Sequence, residues 1–124
     1  MKNQRYITKS LLTSVKYAAA GIKAAFGSEK NFLTYTFIAA AFLLFNVITG
    51  SGKYDYALFA VCTAAVFSAE LINTALERVC DSRTHDESSD IEFIKNVSAG
   101  AVLTAGAAFF ICEGIVLISN IAGR

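Results

Sequence analysis

Polar side chains recur at helical spacing within an otherwise apolar run of the sequence. In VFSAELINTALERV, residues 66–79, Glu70, Asn73 and Glu77 occupy positions i, i+3 and i+7, and Asp81 continues the same stripe four residues later. Ionisable side chains inside membrane segments are costly and usually mark functional sites. The stripe is therefore the first candidate for chemistry. The alternative is an interhelical hydrogen-bond network that only holds protomers together.

Depth along the helix separates the two glutamates of this stripe. At about 1.5 Å per residue, Glu70 and Glu77 lie roughly 10 Å apart along the axis, so they cannot act on the same proton. The deeper Glu70 suits a base that deprotonates an alcohol. Glu77, nearer the membrane boundary, suits a divalent cation, because carboxylate oxygen is the ligand that hard cations prefer. Glu29, just before the first apolar run, could supply a second oxygen to the same ion.

The composition indicates a membrane protein. The chain has 124 residues, of which 55% are hydrophobic and 17% charged, with no proline and a mean hydropathy of +0.50. This is too apolar for an ordinary soluble domain of this size. The basic N-terminal arm lacks the interleaved aromatic residues of a nucleic-acid-binding surface, so we expect anionic lipid headgroups, not nucleic acid, as its partner.

The sequence predicts an all-α membrane protein of one domain, residues 1–124. Apolar residues of the arm recur at helical spacing while lysines recur every seven residues on another face, which predicts an amphipathic helix on the membrane surface. Lys53 is the only basic residue of the first interhelical loop, so the N-terminus and the second loop are expected to be cytoplasmic. The predicted elements are the surface helix over about 7–28, membrane spans at 32–49, 55–80 and 95–122, and a cytoplasmic segment at 81–94. This polar segment is either a solvated loop or a short helical extension.

Two features of the third span concern assembly and packing. Gly100, Thr104, Ala108 and Cys112 step by four residues and form a face of small side chains that allows close helix approach. We therefore expect a homo-oligomer in which neighbouring protomers cover the glutamate stripe. Glu113, deep in the same span, either lies near the outer interface or forms a hydrogen bond across the bundle.

The stripe and its flanks resemble a known family signature. The pattern E-x-x-N-x-A-x-E-x-x-x-D from Glu70 to Asp81, followed by Lys95 and by SAGAVL at 98–103, is similar to that of the prokaryotic diacylglycerol kinase family. Gram-positive members of this family are commonly undecaprenol kinases. The resemblance covers nearly the whole chain, including Tyr17 and Glu29. It implies a homotrimer of three-span protomers that transfers the γ-phosphoryl group of Mg-ATP to a lipid alcohol at sites shared between protomers.

The resemblance also implies roles for individual residues. Glu70 is the catalytic base, and Glu29 and Glu77 bind magnesium. The residues assigned to the nucleotide and its phosphates are Tyr17, Asn73, Asp81, Asp86, Lys95, Asn96 and Lys9, the last in place of an arginine common near position ten. The family usually has Lys-Asp where this chain has Lys95-Asn96, and often Glu-x-His where it has Asp86-Glu87-Ser88.

The expected function is that of an Mg-ATP-dependent lipid kinase in the bacterial inner membrane. Undecaprenol is the favoured substrate, because GIKAAFGSEKNF and AELINTALERV look closer to the Gram-positive branch, and diacylglycerol is next. One alternative is a small proton-coupled membrane transporter, although such proteins generally need four spans. Another is a catalytically inactive member of the family, for which Asn96 argues.

Overall fold

The computed structural model describes residues 11–83 and 88–123, and this part of the chain forms four α-helices. Three of them, α2 to α4, are long and apolar enough to cross a membrane. The all-α architecture, with one helix preceding three candidate spans, is confirmed. The helices are α1 (Leu11–Ser28), α2 (Lys30–Ile48), α3 (Lys53–Arg83) and α4 (Ser89–Ala122).

The helices α3 and α4 continue beyond the predicted spans into the 81–94 segment. Residues 81–83 belong to α3 and residues 89–94 to α4, so both ends of this segment are helical extensions, one of the two predicted alternatives. Ser88 explains the early start of α4, because its side chain accepts a hydrogen bond from the Ile91 amide at 3.3 Å and so caps the helix. The 34 residues of α4 make a helix about 51 Å long, more than the roughly 30 Å of a bilayer's hydrocarbon core. The polar end of α4 therefore reaches beyond that core.

A bend at a single residue joins α1 to α2. Glu29 has extended backbone angles, φ −118° and ψ 122°, while its amide still bonds the Ala25 carbonyl at 3.0 Å. Three aromatic rings hold α1 against the other helices: Phe26, Phe32 and Phe67 have centroids 4.9 to 5.9 Å apart. The bend therefore places Glu29 beside α3. We call this side of the bundle, which also holds the connection between α3 and α4, the loop end.

The opposite side, the turn end, contains the tight connection from α2 to α3 at residues 49–52. Gly50 has a φ of 68°, a left-handed conformation that favours glycine. The amide of Gly52 donates to Asp55 Oδ2 at 2.8 Å, which closes the first turn of α3. The Gly-Ser-Gly sequence is thus a helix-to-helix turn.

The core of the bundle lies between α3 and α4, the pair with the most extensive contact, and α2 packs against both. Aromatic rings fill the half towards the turn end, where Phe109 meets Phe42 at 5.1 Å and Phe59 at 6.1 Å between centroids. Many large apolar side chains point outward, among them Phe37 and Ile118. An outward apolar surface suits helices surrounded by lipid.

Candidate functional site

Glu70 lies in an apolar cavity of about 480 Å³ between α2, α3 and α4. The side chains around it are mostly aliphatic and aromatic, such as Val66 and Leu103. Glu70 is only 2% exposed, and Asn31 of α2 donates a hydrogen bond from Nδ2 to its Oε1 at 3.0 Å. A cavity of this kind can hold the apolar part of a ligand while the carboxylate meets a polar group.

Asn73, one turn further along α3, is buried against α4. The hydroxyl of Ser98 donates to Asn73 Oδ1 at 2.7 Å. Asn73 also lines the cavity that contains Glu70. With its oxygen engaged by Ser98, Asn73 is available to a ligand mainly as a hydrogen-bond donor.

A second, polar cavity of about 330 Å³ adjoins the loop end of α3. Its lining consists of Glu29 from the bend and four residues of α3: Thr74, Glu77, Arg78 and Asp81. Glu77 lines both cavities. The apolar and the polar compartment therefore meet at this side chain.

The polar cavity has the donor atoms that a magnesium ion prefers. Glu29, Glu77 and Asp81 offer carboxylate oxygens to it. Within residues 11–83 and 88–123, however, no group of three or more His, Cys, Asp or Glu side chains is arranged to hold a metal by itself. Mg²⁺ is commonly bound by one or two carboxylates together with substrate phosphates, and the lining fits that arrangement.

Lys95 and Asp81 form an ion pair across the loop end, with Nζ 2.6 Å from Oδ1. The Lys95 side chain is 41% exposed and the Asp81 side chain 66%. A pair this exposed to solvent is weak, so an incoming phosphate can compete for the lysine.

The remaining predicted site residues lie apart from the two cavities. Tyr17 is exposed on α1 and Asn96 on α4, and neither side chain lines either cavity. Lys9 and Asp86 fall outside the described residues. The structure thus brings together Glu29, Glu70, Asn73, Glu77 and Asp81, with Lys95 beside them.

Asn31 and Ser98 are partners of the stripe that helical spacing alone does not reveal. Asn31 is a polar residue in the first turn of an apolar helix, and Ser98 begins the SAGAVL segment, so both were visible as polar exceptions. Their hydrogen bonds to α3 depend on how the helices pack, and residue spacing in the sequence does not predict them. Glu113, whose role was open, is fully buried and accepts a hydrogen bond from Asn46 Nδ2 of α2 at 2.7 Å. It therefore bonds across the bundle.

Comparison with known proteins identifies the family of this chain. Residues 16–117 match the profile of the family described as prokaryotic diacylglycerol kinase. A diacylglycerol kinase of Synechocystis sp. is 34% identical over 118 residues, which cover 94% of this chain and 67% of the relative. A diacylglycerol kinase of Haemophilus influenzae is 29% identical over 110 residues, which cover 81% of this chain and 92% of the relative. On this agreement, which spans most of its length, the chain belongs to the prokaryotic diacylglycerol kinase family.

Proposed function

We propose that this protein is a lipid kinase of the bacterial plasma membrane that transfers the γ-phosphoryl group of Mg-ATP to the hydroxyl of a lipid alcohol. The observation that carries the proposal is the position of Glu77, which lines both the apolar and the polar cavity. An apolar compartment suits a lipid, and a compartment with carboxylates and cationic neighbours suits a metal-bound triphosphate. The two reactants would meet where the compartments adjoin.

In the proposed reaction, Glu70 acts as the general base. It accepts the proton of the lipid hydroxyl while the alcohol oxygen forms a bond to the γ-phosphorus. The bond from that phosphorus to the bridging oxygen breaks, and ADP leaves with the electron pair. Phosphoryl transfer depends mainly on positioning and on stabilising charge, so a small protein without a Gly-rich phosphate loop can perform it.

Glu29 and Glu77 are the residues that would hold magnesium. Bound there with ATP, the ion would neutralise negative charge on the β- and γ-phosphates. Lys95, once released from Asp81, would pair with a phosphate, and Asn73 would donate to a substrate oxygen. The other residues proposed to position the nucleotide are Tyr17, Asp81, Asn96, Lys9 and Asp86.

We also propose an order of preference for the lipid substrate. Undecaprenol comes first, on the likeness of GIKAAFGSEKNF and AELINTALERV to the Gram-positive branch. Diacylglycerol comes second, and it is the substrate named for the two relatives. Both are alcohols with long apolar chains, and the cavity around Glu70 suits that shared chemistry.

We further propose that the N-terminus is cytoplasmic, so that the loop end faces ATP. Lys16 and Lys23 belong to α1, which leads into the loop end, and Lys30 begins α2 there, whereas Lys53 begins α3 at the turn end. This distribution of basic residues follows the positive-inside rule. We propose that the active form of the protein is a homotrimer.

The test is a phosphorylation assay of the purified protein in lipid, with Mg-ATP and each alcohol side by side. We expect product with at least one alcohol, and a rate at least about 100-fold lower in Glu70→Gln. This substitution keeps the oxygen that accepts from Asn31 but removes the base. Glu113→Gln, a buried glutamate at the turn end, is the matched control and should remain active. Failure to phosphorylate either alcohol would refute the proposed function, and an active Glu70→Gln would refute the role of the base.

A further inference from the structure

The hydrogen bond between Asn31 and Glu70 connects two parts of the site that are 39 residues apart in sequence. Asn31 lies in the first turn of α2, two residues after the bend at Glu29. Its side chain reaches across to α3 and lines the apolar cavity together with Glu70. The start of α2 therefore contributes to both compartments, with Glu29 in the polar one and Asn31 in the apolar one.

Among the residues that the structure describes, Asn31 is the one hydrogen-bond donor to the Glu70 carboxylate. Within the described residues, the Glu70 side chain receives no hydrogen bond except that from Asn31 Nδ2 to Oε1 at 3.0 Å. Without this donor, the carboxylate could rotate freely about its last side-chain torsion, because the preference for any one angle of that torsion is broad. The Asn31 bond restricts that rotation, and no other described residue donates to Oε2.

Asn31 is an uncharged hydrogen-bond donor, which suits a Glu70 that acts as a base. A lysine or arginine at this position would form an ion pair with Glu70 and favour its charged form, which would oppose proton acceptance. The carboxamide of asparagine carries no charge and does not titrate. It can orient the carboxylate with a smaller electrostatic effect on proton transfer.

We infer that Asn31 is a positioning residue for phosphoryl transfer: it fixes the orientation of Glu70 through Oε1, so that Oε2 receives the proton of the lipid hydroxyl. The inference rests on the proposed function. Productive geometry for proton transfer is narrow, and a displacement of about 1 Å can cost about 100-fold in rate. Loss of the Asn31 bond should therefore slow the chemical step and leave substrate binding nearly unchanged.

The first experiment compares kinetic constants of the full-length protein in lipid with Mg-ATP and the alcohol that the wild type phosphorylates. Asn31→Ala removes the donor, and Asn31→Asp keeps the shape but replaces the donor with an acceptor. In both, kcat should fall about 10-fold to 100-fold while KM for ATP and for the lipid stays within about twofold. The decrease should be larger for Asn31→Asp, because two carboxyl groups would then face each other.

Thr34→Ala is the matched control on the same helix. The Thr34 hydroxyl bonds to the Lys30 carbonyl of its own helix at 3.3 Å and is exposed, so its removal should leave kcat and KM unchanged. A kcat of Asn31→Ala within about twofold of the wild type, or a loss carried by KM, would overturn the inference.

A second measurement examines the contact without using activity. Thermal unfolding midpoints are measured for Asn31→Ala, Glu70→Leu and the double variant in detergent. If the two side chains interact, the shift in the double variant should be smaller than the sum of the single shifts. Additive shifts would refute the contact. A wild type that phosphorylates neither alcohol would refute the proposed function and the role of Asn31 with it, whereas an active wild type with unaffected Asn31 variants would refute only this inference.

Discussion

At the scale of single residues, three glutamates of α3 and α4 have different environments. Glu70 lies in an apolar cavity with one amide donor. Glu77 is half-buried at the boundary of the apolar and polar cavities. Glu113 is fully buried at the turn end with Asn46. A glutamate in this protein is therefore suited to proton acceptance, cation binding or helix packing, depending on the residues around it.

Glu77→Gln should weaken the binding of magnesium. The substitution replaces a charged ligand with a neutral one of the same size, so the magnesium concentration at half-maximal rate should rise by about tenfold or more. The measurement is a titration of the phosphorylation rate with MgCl₂ at fixed ATP. Asp55→Asn, which changes a carboxylate at the turn end, should leave the titration unchanged. An unaltered magnesium dependence in Glu77→Gln would contradict the assignment.

At the scale of elements, α2 is attached to its neighbours by polar contacts at both ends. Asn31 bonds to α3 at the loop end. At the turn end, Asn46 donates to Glu113 of α4 at 2.7 Å, and its Oδ1 accepts from the Ser51 hydroxyl at 2.6 Å. Asn120 of α4 donates to Ser51 at 2.9 Å. Apolar burial provides little drive for association between helices in lipid, so these bonds and close packing determine how α2 sits on the bundle.

Asn46→Ala should destabilise the protein without removing its chemistry. It deletes the bonds to Glu113 and Ser51 and leaves the buried Glu113 without its α2 partner, which should lower the free energy of unfolding by about 1–3 kcal/mol. Thermal unfolding in detergent measures the loss, and the folded fraction at low temperature should keep its kinase activity. Thr104→Ala, which removes a hydroxyl bonded only within α4, should have little effect. Equal stability of Asn46→Ala and the wild type would show that the network contributes nothing.

At the scale of the whole molecule, one protomer leaves much of its helical surface uncovered. In each candidate span, at most 17% of the most hydrophobic segment is buried within the protomer. Thr104 and Ala108, from the face of small residues on α4, are exposed. Small exposed side chains allow close approach of another helix, which supports the proposed homotrimer.

Native mass spectrometry from detergent should show three copies per complex. Ala108→Phe places a large ring on the small-residue face and should shift the population towards monomers. Ile118→Phe changes another exposed position of α4 where the residue is already large, and it should leave the trimer intact. A monomeric wild type, or a trimer indifferent to Ala108→Phe, would contradict this interface.

The helices and the stripe could be predicted from sequence because both depend on local periodicity. An apolar run near the length of a bilayer crossing indicates a span, and residues at i, i+3 and i+7 share a face wherever the helix packs. The 81–94 segment was harder to predict. A polar composition does not distinguish a loop from a helix that continues into water, and the cap at Ser88 decided between them.

Sequence by itself determined that this is an all-α protein with three long apolar helices, that Glu70, Asn73 and Glu77 share one helical face, and which family it belongs to. The tertiary structure alone decided the partners: Asn31 for Glu70, Ser98 for Asn73, and Asn46 for Glu113, the last pair 67 residues apart. The physical reason is that a helical period gives the direction of each side chain about its own axis. Which side chains meet across an interface depends on the rotation, register and crossing of packed helices, and these are set by the packing of the whole bundle.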